Sequence, residues 1–214
     1  YSFFGKQQKK RTVESVILEL EILEKQYNVK EFFFLDSTFT LDRKWVLEFC
    51  EKYKEKGLSI AWEIETRVDC LDEELIYRLI DGNCKKIYLG IEALNDQMLQ
   101  FLSKRISVKQ IVRVVELLND LSLEYELFLM AGLPYQTIDD LYNEYRLLHK
   151  MKAKNYQFIT YMPRPNTKLY NLACIEYPYL DEDFRYLSCV RGRVQNQIRS
   201  SELLRFFEYV KKGR

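Results

Sequence analysis

Four short polar clusters stand out in this chain of 214 residues: Asp36-Ser37-Thr38, Glu65-Thr66-Arg67, Gly90-Ile91-Glu92 and Gly132-Leu133-Pro134. A fifth, Pro163-Arg164-Pro165-Asn166-Thr167, follows the same logic, because each closes a run of apolar, strand-forming residues. Alternation with a period of two puts Glu63, Glu65 and Arg67 on one face of their run, and Tyr88, Gly90 and Glu92 on one face of the next. Carboxylates and a guanidinium pointing into a fold are costly unless they are paired or meet a ligand. Carboxylates hold an ammonium group or ribose hydroxyls, and arginine holds a carboxylate through two parallel hydrogen bonds. A zwitterionic, ribose-bearing ligand suits this set, and Gly90 lets backbone approach it closely. The same residues admit a plainer reading, with Asp36 or Asp72 capping helices and Glu63 pairing with Arg67.

Other chemistries find little support. The single histidine, His149, excludes any site that needs two imidazoles, and its place late in a helix suits a favourable interaction with the helix dipole. Cys50, Cys70, Cys84, Cys174 and Cys189 are separated by 20, 14, 90 and 15 positions, so no C-x-x-C pair exists for zinc or thiol exchange. Reduced, structural thiols and a cytoplasmic setting are expected. Lysine and arginine total 33 against 32 acidic residues, a net charge of +1 that argues against nucleic acid as a partner. The run Lys9-Lys10-Arg11 reads as a solvated loop. No apolar run approaches the roughly 18 residues that cross a bilayer, so no membrane partner is expected.

The elements that must position the clusters alternate regularly. Helices are predicted from Thr12 as N-cap to Tyr27, from Leu41 to Lys56 with Thr40 as cap, from Asp72 to Asp81, from Ser107 with Gln110 completing a capping box, and from Ile138 to Met151. Strands are predicted at Glu31–Asp36, apolar on both faces, and at Ile60–Thr66, Lys86–Ile91, Glu124–Ala131 and Tyr156–Met162. Strand starts near 31, 59, 86, 124 and 156 lie 28, 27, 38 and 32 residues apart, the size of a β–α unit with one enlarged connection. Right-handed crossovers of this kind give a parallel sheet covered by helices: a barrel, part of one, or a doubly wound sheet. Ligand chemistry then belongs at the carboxyl ends of the strands, where the polar clusters fall. The chain opens on Tyr1 with a loop and a helix, as though a preceding strand were missing. After Thr167 the rhythm stops, and a last helix is predicted from Ser200 or Ser201 through Val210.

The runs Phe32-Phe33-Phe34-Leu35-Asp36-Ser37-Thr38-Phe39-Thr40, Trp62-Glu63-Ile64-Glu65-Thr66-Arg67-Val68-Asp69 and Gly82 through Glu92 resemble radical S-adenosylmethionine enzymes. Gly132-Leu133-Pro134-Tyr135-Gln136-Thr137 and Pro163-Arg164-Pro165-Asn166-Thr167-Lys168-Leu169-Tyr170 continue the likeness in order. The nearest likeness is to the Elp3/MiaB-like and cobalamin-dependent branches, whose motifs read F-x-D-D-x-F-T, T-R-V-D, G-x-E-S, G-L-P-G-E-T and P-x-P-G-T. It extends over about residues 1–173.

The resemblance implies an α/β fold: a partial TIM-type (β/α)6 barrel lacking its first strand, with residues 1–166 as the incomplete core and residues 167–214 as a helical C-terminal tail. It implies S-adenosylmethionine and a 4Fe-4S cluster as cofactors, the cluster's thiolates lying upstream of Tyr1, and reductive cleavage to a 5′-deoxyadenosyl radical. The outcome would be methyl transfer or another radical modification of a small-molecule substrate, with flavodoxin or ferredoxin as electron donor and, in one branch, cobalamin in a separate domain. By the same resemblance Asp36 and Ser37 lie near the methionine amino group, Glu65 and Arg67 on the strand that contacts methionine or ribose, and Glu92 at the ribose. Met130 through Pro134, including Gly132, flank adenine; Gly90 gives close approach; and Lys104 reaches the methionine carboxylate. The chain departs from the pattern at Asp36-Ser37 for an acidic pair, Ala93 for serine, Tyr135-Gln136 for glycine–glutamate and Asn166 for glycine. A cluster-less, barrel-derived binding module is the alternative.

Overall fold

The computed structural model describes residues 10–162, 167, 169–170 and 198–213. Five strands form one fully parallel sheet: β1 (Glu31–Phe34), β2 (Ala61–Thr66), β3 (Cys84–Glu92), β4 (Glu124–Ala131) and β5 (Tyr156–Thr160). They are joined by α1 (Val13–Tyr27), α2 (Arg43–Glu55), α3 (Glu73–Asp81), α4 (Asp96–Phe101), α5 (Val108–Asp120) and α6 (Ile138–Lys150), with α7 (Ser200–Lys212) at the end. The enlarged connection contains two helices, α4 and α5; only the second was expected.

Spatial order follows chain order, β1-β2-β3-β4-β5. A doubly wound sheet needs a switch point in that order, and this sheet has none. Successive right-handed crossovers therefore lay the connecting helices on one face. Alternation within the strands agrees: Trp62, Ile64, Ile87, Leu89, Ile91, Tyr125, Leu127 and Leu129 are buried toward the helices. Glu63, Glu65, Tyr88, Glu126, Phe128 and Met130 are half-buried on the other face.

Local chemistry explains the helix starts. Thr12, Asp72, Ser107 and Thr137 each accept a hydrogen bond from the first turn of their helix, and Ser107–Gln110 and Thr137–Asp140 close capping boxes. One cap differs from expectation. Thr40 sits in a buried 3-10 turn, bonded to the Thr66 hydroxyl, and Asp42 caps α2 instead through the Trp45 N–H. The first strand also differs. It reads as apolar on both faces, yet Phe33 is 41% and Leu35 91% exposed, because β1 is the edge of the sheet and pairs with β2 alone among the described residues. Beside that edge lies a groove of about 500 Å³ lined by Phe32, Phe33, Phe34, Leu35, Leu20 and Trp45. At the other end α7 packs on α6 and β5, with Phe206 edge-on to Tyr142 and Phe158 at 5.4 and 5.0 Å.

Candidate functional site

The strand ends on the open face bring part of the expected set together. Lys104, which follows α4, reaches back so that its Nζ lies 3.1 Å from the Gly90 carbonyl and 3.1 Å from Glu92 Oε1. Glu65 stands near this pair. Burial raises its pKa, Glu92 raises it further, and Lys104 opposes both. The group is acidic overall, with two carboxylates to one ammonium, and half-buried rather than sealed. Such carboxylates can accept from the hydroxyls of a sugar, while the lysine can turn to a ligand carboxylate.

Gly90 has a definite reason to be glycine. A Cβ there would lie 3.0 Å from Glu92 Oε1, so any side chain would push against the carboxylate folded over it. Glu92 itself is strained. Its φ is +68°, the β3–β4 register shifts between Gly90 and Glu92, and the Ala93 N–H returns to the Ile91 carbonyl at 2.9 Å. A three-residue turn around a positive φ is the rare, strained form of γ-turn, held only when its surroundings over-determine it.

The neighbouring turn after β4 is held differently. Gly132 has φ +86° and Tyr135 φ +64°. Between them runs Leu133-Pro134, both buried. Gln136, 1% exposed, accepts from the Gly132 and Leu133 N–H groups at 2.8 and 3.1 Å, and its amide nitrogen approaches the Met130 carbonyl at 3.4 Å. The departure at Gln136 therefore keeps an acceptor and adds a donor with its own partner. Tyr135 takes a left-handed conformation suited to glycine, and its ring packs edge-on against Phe101 of α4 at 5.4 Å.

Other expected residues lie apart. Arg67 grips Asp69, Nε to Oδ1 at 2.9 Å and a terminal nitrogen to Oδ2 at 2.6 Å, while Glu63 accepts from the Tyr88 hydroxyl at 2.8 Å, so the Glu63–Arg67 pair does not form. Asp36 and Ser37 are exposed beyond β1, Asp36 on the wall of the edge groove. Asp72 does cap a helix, donating nothing to the site: it accepts from the Leu75 N–H at 2.8 Å. The segment Pro163–Asn166, with Cys174 and Cys189, lies outside the described residues. His149 lies within 3.5 Å of the Tyr156 hydroxyl and 4.5 Å from the Tyr145 ring, a packing role.

Sequence reasoning missed Glu144. This residue of α6 is 2% exposed, and its Oε1 accepts from the Leu94 N–H at 3.0 Å, two residues past Glu92. It occupies the buried stripe Leu141, Glu144, Tyr145, Leu148, and a carboxylate at an apolar-stripe position is the signal that was available.

The described cysteines do not make a metal centre. Burial pushes the Cys50 thiol up to about 12 and raises Cys84 and Cys70 as well, opposite to what a ligand thiolate needs. No grouping of three or more His, Cys, Asp or Glu able to hold a metal occurs among the described residues. Nor, among them, is any helix long and apolar enough to cross a membrane.

The sequence pattern of the radical SAM superfamily matches residues 1–148. An uncharacterized methyltransferase of Pyrococcus horikoshii, PH0819, is 32% identical over 170 residues, 79% of this chain and 37% of that protein. The anaerobic magnesium-protoporphyrin IX monomethyl ester cyclase of Rubrivivax gelatinosus is 30% identical over 162 residues, 75% of this chain and 29% of that one. The chain thus spans about a third of the length of these curated relatives. In fold it is similar to the radical S-adenosylmethionine methyltransferase TsrM from Kitasatospora setae, with cobalamin and a [4Fe-4S] cluster bound (TM-score 0.64, 16% identity, 70% of this chain and 29% of that chain). It is likewise similar to the archaeal Elp3 of Methanocaldococcus infernus (TM-score 0.59, 16% identity, 94% of this chain and 58% of that chain).

Proposed function

The chain belongs to the radical SAM superfamily, and from that premise we propose that it is the core of an enzyme that binds S-adenosylmethionine at the carboxyl ends of β2, β3 and β4. One observation carries the reading. Glu65, Glu92 and Lys104 converge beside Gly90, so ribose acceptors, a cation and a backbone position without a side chain meet at one place. The Gly132 turn lies one strand over, with Met130, Gly132 and Pro134 against adenine. Asp36 and Ser37 approach the methionine amino group from the end of β1, and Arg67 stays on the β2 side of the methionine. Held in this way, the ligand's ribose is fixed by Glu92 and its polar tail lies between Lys104 and β1.

A 4Fe-4S cluster, when bound, supplies the electron that cleaves the sulfonium. The described cysteines do not fit it, because two are buried on the helix side of the sheet and burial raises the pKa of all three. The reading assigns its ligands to chain preceding Tyr1. The finer fold follows: a (β/α)6 barrel whose further strand pairs with the open edge of β1 and covers the groove lined by Phe32 to Leu35, with residues 1–166 as core and 167–214 as tail. The relatives named for methyl transfer and ring formation support radical modification, methyl transfer among the outcomes, of a small molecule, with a flavodoxin- or ferredoxin-type donor in the cytoplasm. A cobalamin domain, as in one structural neighbour, would lie outside this chain.

The test uses the full-length protein, reconstituted anaerobically with iron and sulfide, reduced, and supplied with S-adenosylmethionine. Formation of 5′-deoxyadenosine, or of a transferred methyl group, is expected. A cluster-loaded protein that binds no S-adenosylmethionine would overturn the reading, and an upstream coding sequence without three closely spaced cysteines would remove its cluster.

A further inference from the structure

The strained turn at Glu92 closes β3 just where the β3–β4 register slips, so part of its hold must come from outside the strand. Beyond Glu92 the chain passes through Ala93 and Leu94, 0% and 6% exposed, before Asn95 caps α4 by accepting from the Gln97 and Met98 N–H groups. Two carboxylates of α6, one turn apart, meet this short segment. Glu144 Oε1 accepts from the Leu94 N–H at 3.0 Å, and Asp140 Oδ1 accepts from the Asn95 side-chain amide at 3.4 Å. The second oxygen of Glu144 is buried and has no hydrogen-bond partner among the described residues. A carboxyl group kept in that position carries a desolvation cost that a leucine on the same stripe would avoid. It is retained where it fixes a conformation that the chain would otherwise leave.

We infer that Glu144, with Asp140 a turn earlier, is a positioning residue that holds the Glu92 turn in its strained form. Asp140 also closes the capping box with Thr137, directly after Gln136. The start of α6 therefore ties the turn after β3 to the turn after β4. This inference goes beyond the proposed site and rests on that reading only where it predicts an effect on S-adenosylmethionine.

The experiment compares full-length, cluster-reconstituted wild type with E144L, E144Q, E92A and E92A/E144L, reading S-adenosylmethionine affinity by equilibrium dialysis and amide exchange across residues 90–96. Loss of one buried acceptor should speed exchange at Leu94 about tenfold in E144L and weaken ligand binding by a similar factor. E144Q, which keeps a carbonyl oxygen for the Leu94 N–H, should restore both to within about twofold. In the E92A background E144L should add nothing to the loss of affinity, because its effect passes through Glu92. Unchanged exchange at Leu94 in E144L overturns the inference, as does an additive loss in the double variant when E92A alone weakens binding. If E92A binds like wild type while Leu94 exchange rises in E144L, the clamp stands and the ribose contact of Glu92 falls. Should E144L not fold, E144D draws the oxygen back by one methylene, and the same exchange reading decides.

Discussion

The turn that ends β3 and the turn that ends β4 are each held by a buried side-chain oxygen accepting backbone N–H groups, but the oxygens come from different distances. Gln136 lies four residues from Gly132 and has partners for its carbonyl and its amide nitrogen. Glu144 lies 50 residues from Leu94, takes one N–H, and keeps one oxygen without a partner among the described residues. The β4 turn is self-contained and forms once its own loop closes. The β3 turn takes its acceptor from α6, a helix that must pack against it first. A satisfied neutral amide is indifferent to pH and rigid, whereas a half-satisfied carboxyl makes its turn responsive to pH and easier to open.

The largest effect expected from this difference is at Gln136. Replacing it by leucine orphans two buried N–H groups, each worth about 1–3 kcal/mol when left unsatisfied. Gln136→Leu should lower the local stability of the β4 turn by roughly 2–6 kcal/mol on that basis, read by hydrogen exchange at Gly132 and Leu133 in the full-length protein. S-adenosylmethionine binding should fall with it. A loss no greater than that of Glu144→Leu would break the contrast between the two turns.

The next effect is in pH. Burial, with a smaller push from Asp140 and an opposing pull from the Leu94 N–H, raises Glu144 from the model-peptide range to about 8. The folded chain keeps this proton to about pH 8, while the unfolded chain releases it near 4.5. Folding then retains a proton that unfolding gives up. Stability contributed by this group is full below about 4.5, falls as pH rises, and levels above about 8. The slope between those limits is at most about 1.4 kcal/mol per pH unit. Glu144→Gln should flatten the pH dependence of exchange in residues 92–95 between pH 6 and 8. A wild-type profile already flat there would show that the carboxyl is ionised in the fold. Peptides of the Gln136 turn serve as the internal reference, since a neutral amide holds that turn.

These turns also mark how far the sequence can be read. Strand starts, the parallel pairing and three helix caps follow from local patterns: Thr12, Asp72 and Ser107 lie next to the N–H groups they serve. The Gly132 turn is visible from its glycine at a strand end, while the role of Gln136 as its acceptor is seen only in the structure. Glu65 and Glu92 are legible from alternation and strand ends, and Lys104 only from the family resemblance. The Glu144–Leu94 bond, the Arg67–Asp69 grip and the exposure of β1 are not. The first needs the packing of α6 against the end of β3. The second turns on a side chain two residues away bending back instead of crossing the face to Glu63. The third depends on which strand is the edge, a property of the sheet and not of the run Phe32-Phe33-Phe34.

A middle-sized effect tests the glycine just before the Glu92 turn. Gly90→Ala introduces a Cβ 3.0 Å from Glu92 Oε1, and the end of a flexible side chain can shift by a few tenths of an ångström. The fold should survive with a loss of about 1 kcal/mol or less, since the movement is at a side-chain tip. The Glu92 carboxylate, and with it the Lys104 bridge, should be displaced. Affinity for S-adenosylmethionine should therefore fall by about tenfold, near 1.4 kcal/mol, with exchange at Leu94 unchanged. Acceleration at Leu94 would mean that the carboxylate, and not Glu144, holds the turn.

The smallest effect belongs to the open face below both turns. Lys86 lies 3.1 Å from Glu126 Oε2 and 4.6 Å from the centre of the Tyr88 ring, which stacks with Phe128 at 6.0 Å. The pair is partly exposed, at 20% and 24%, so solvent screens it and its net worth lies within about 1 kcal/mol. Neither residue touches the Gly90–Glu92–Lys104 group or the Gln136 turn. Lys86→Met keeps the stem against Tyr88 and removes only the charge. Exchange at Leu94 and Gly132 should stay within twofold of wild type, as should S-adenosylmethionine affinity. A tenfold change in any of the three would mean that charge on this face reaches the strand ends, beyond the hydrogen bonds of Gln136, Glu144 and Lys104 that hold them.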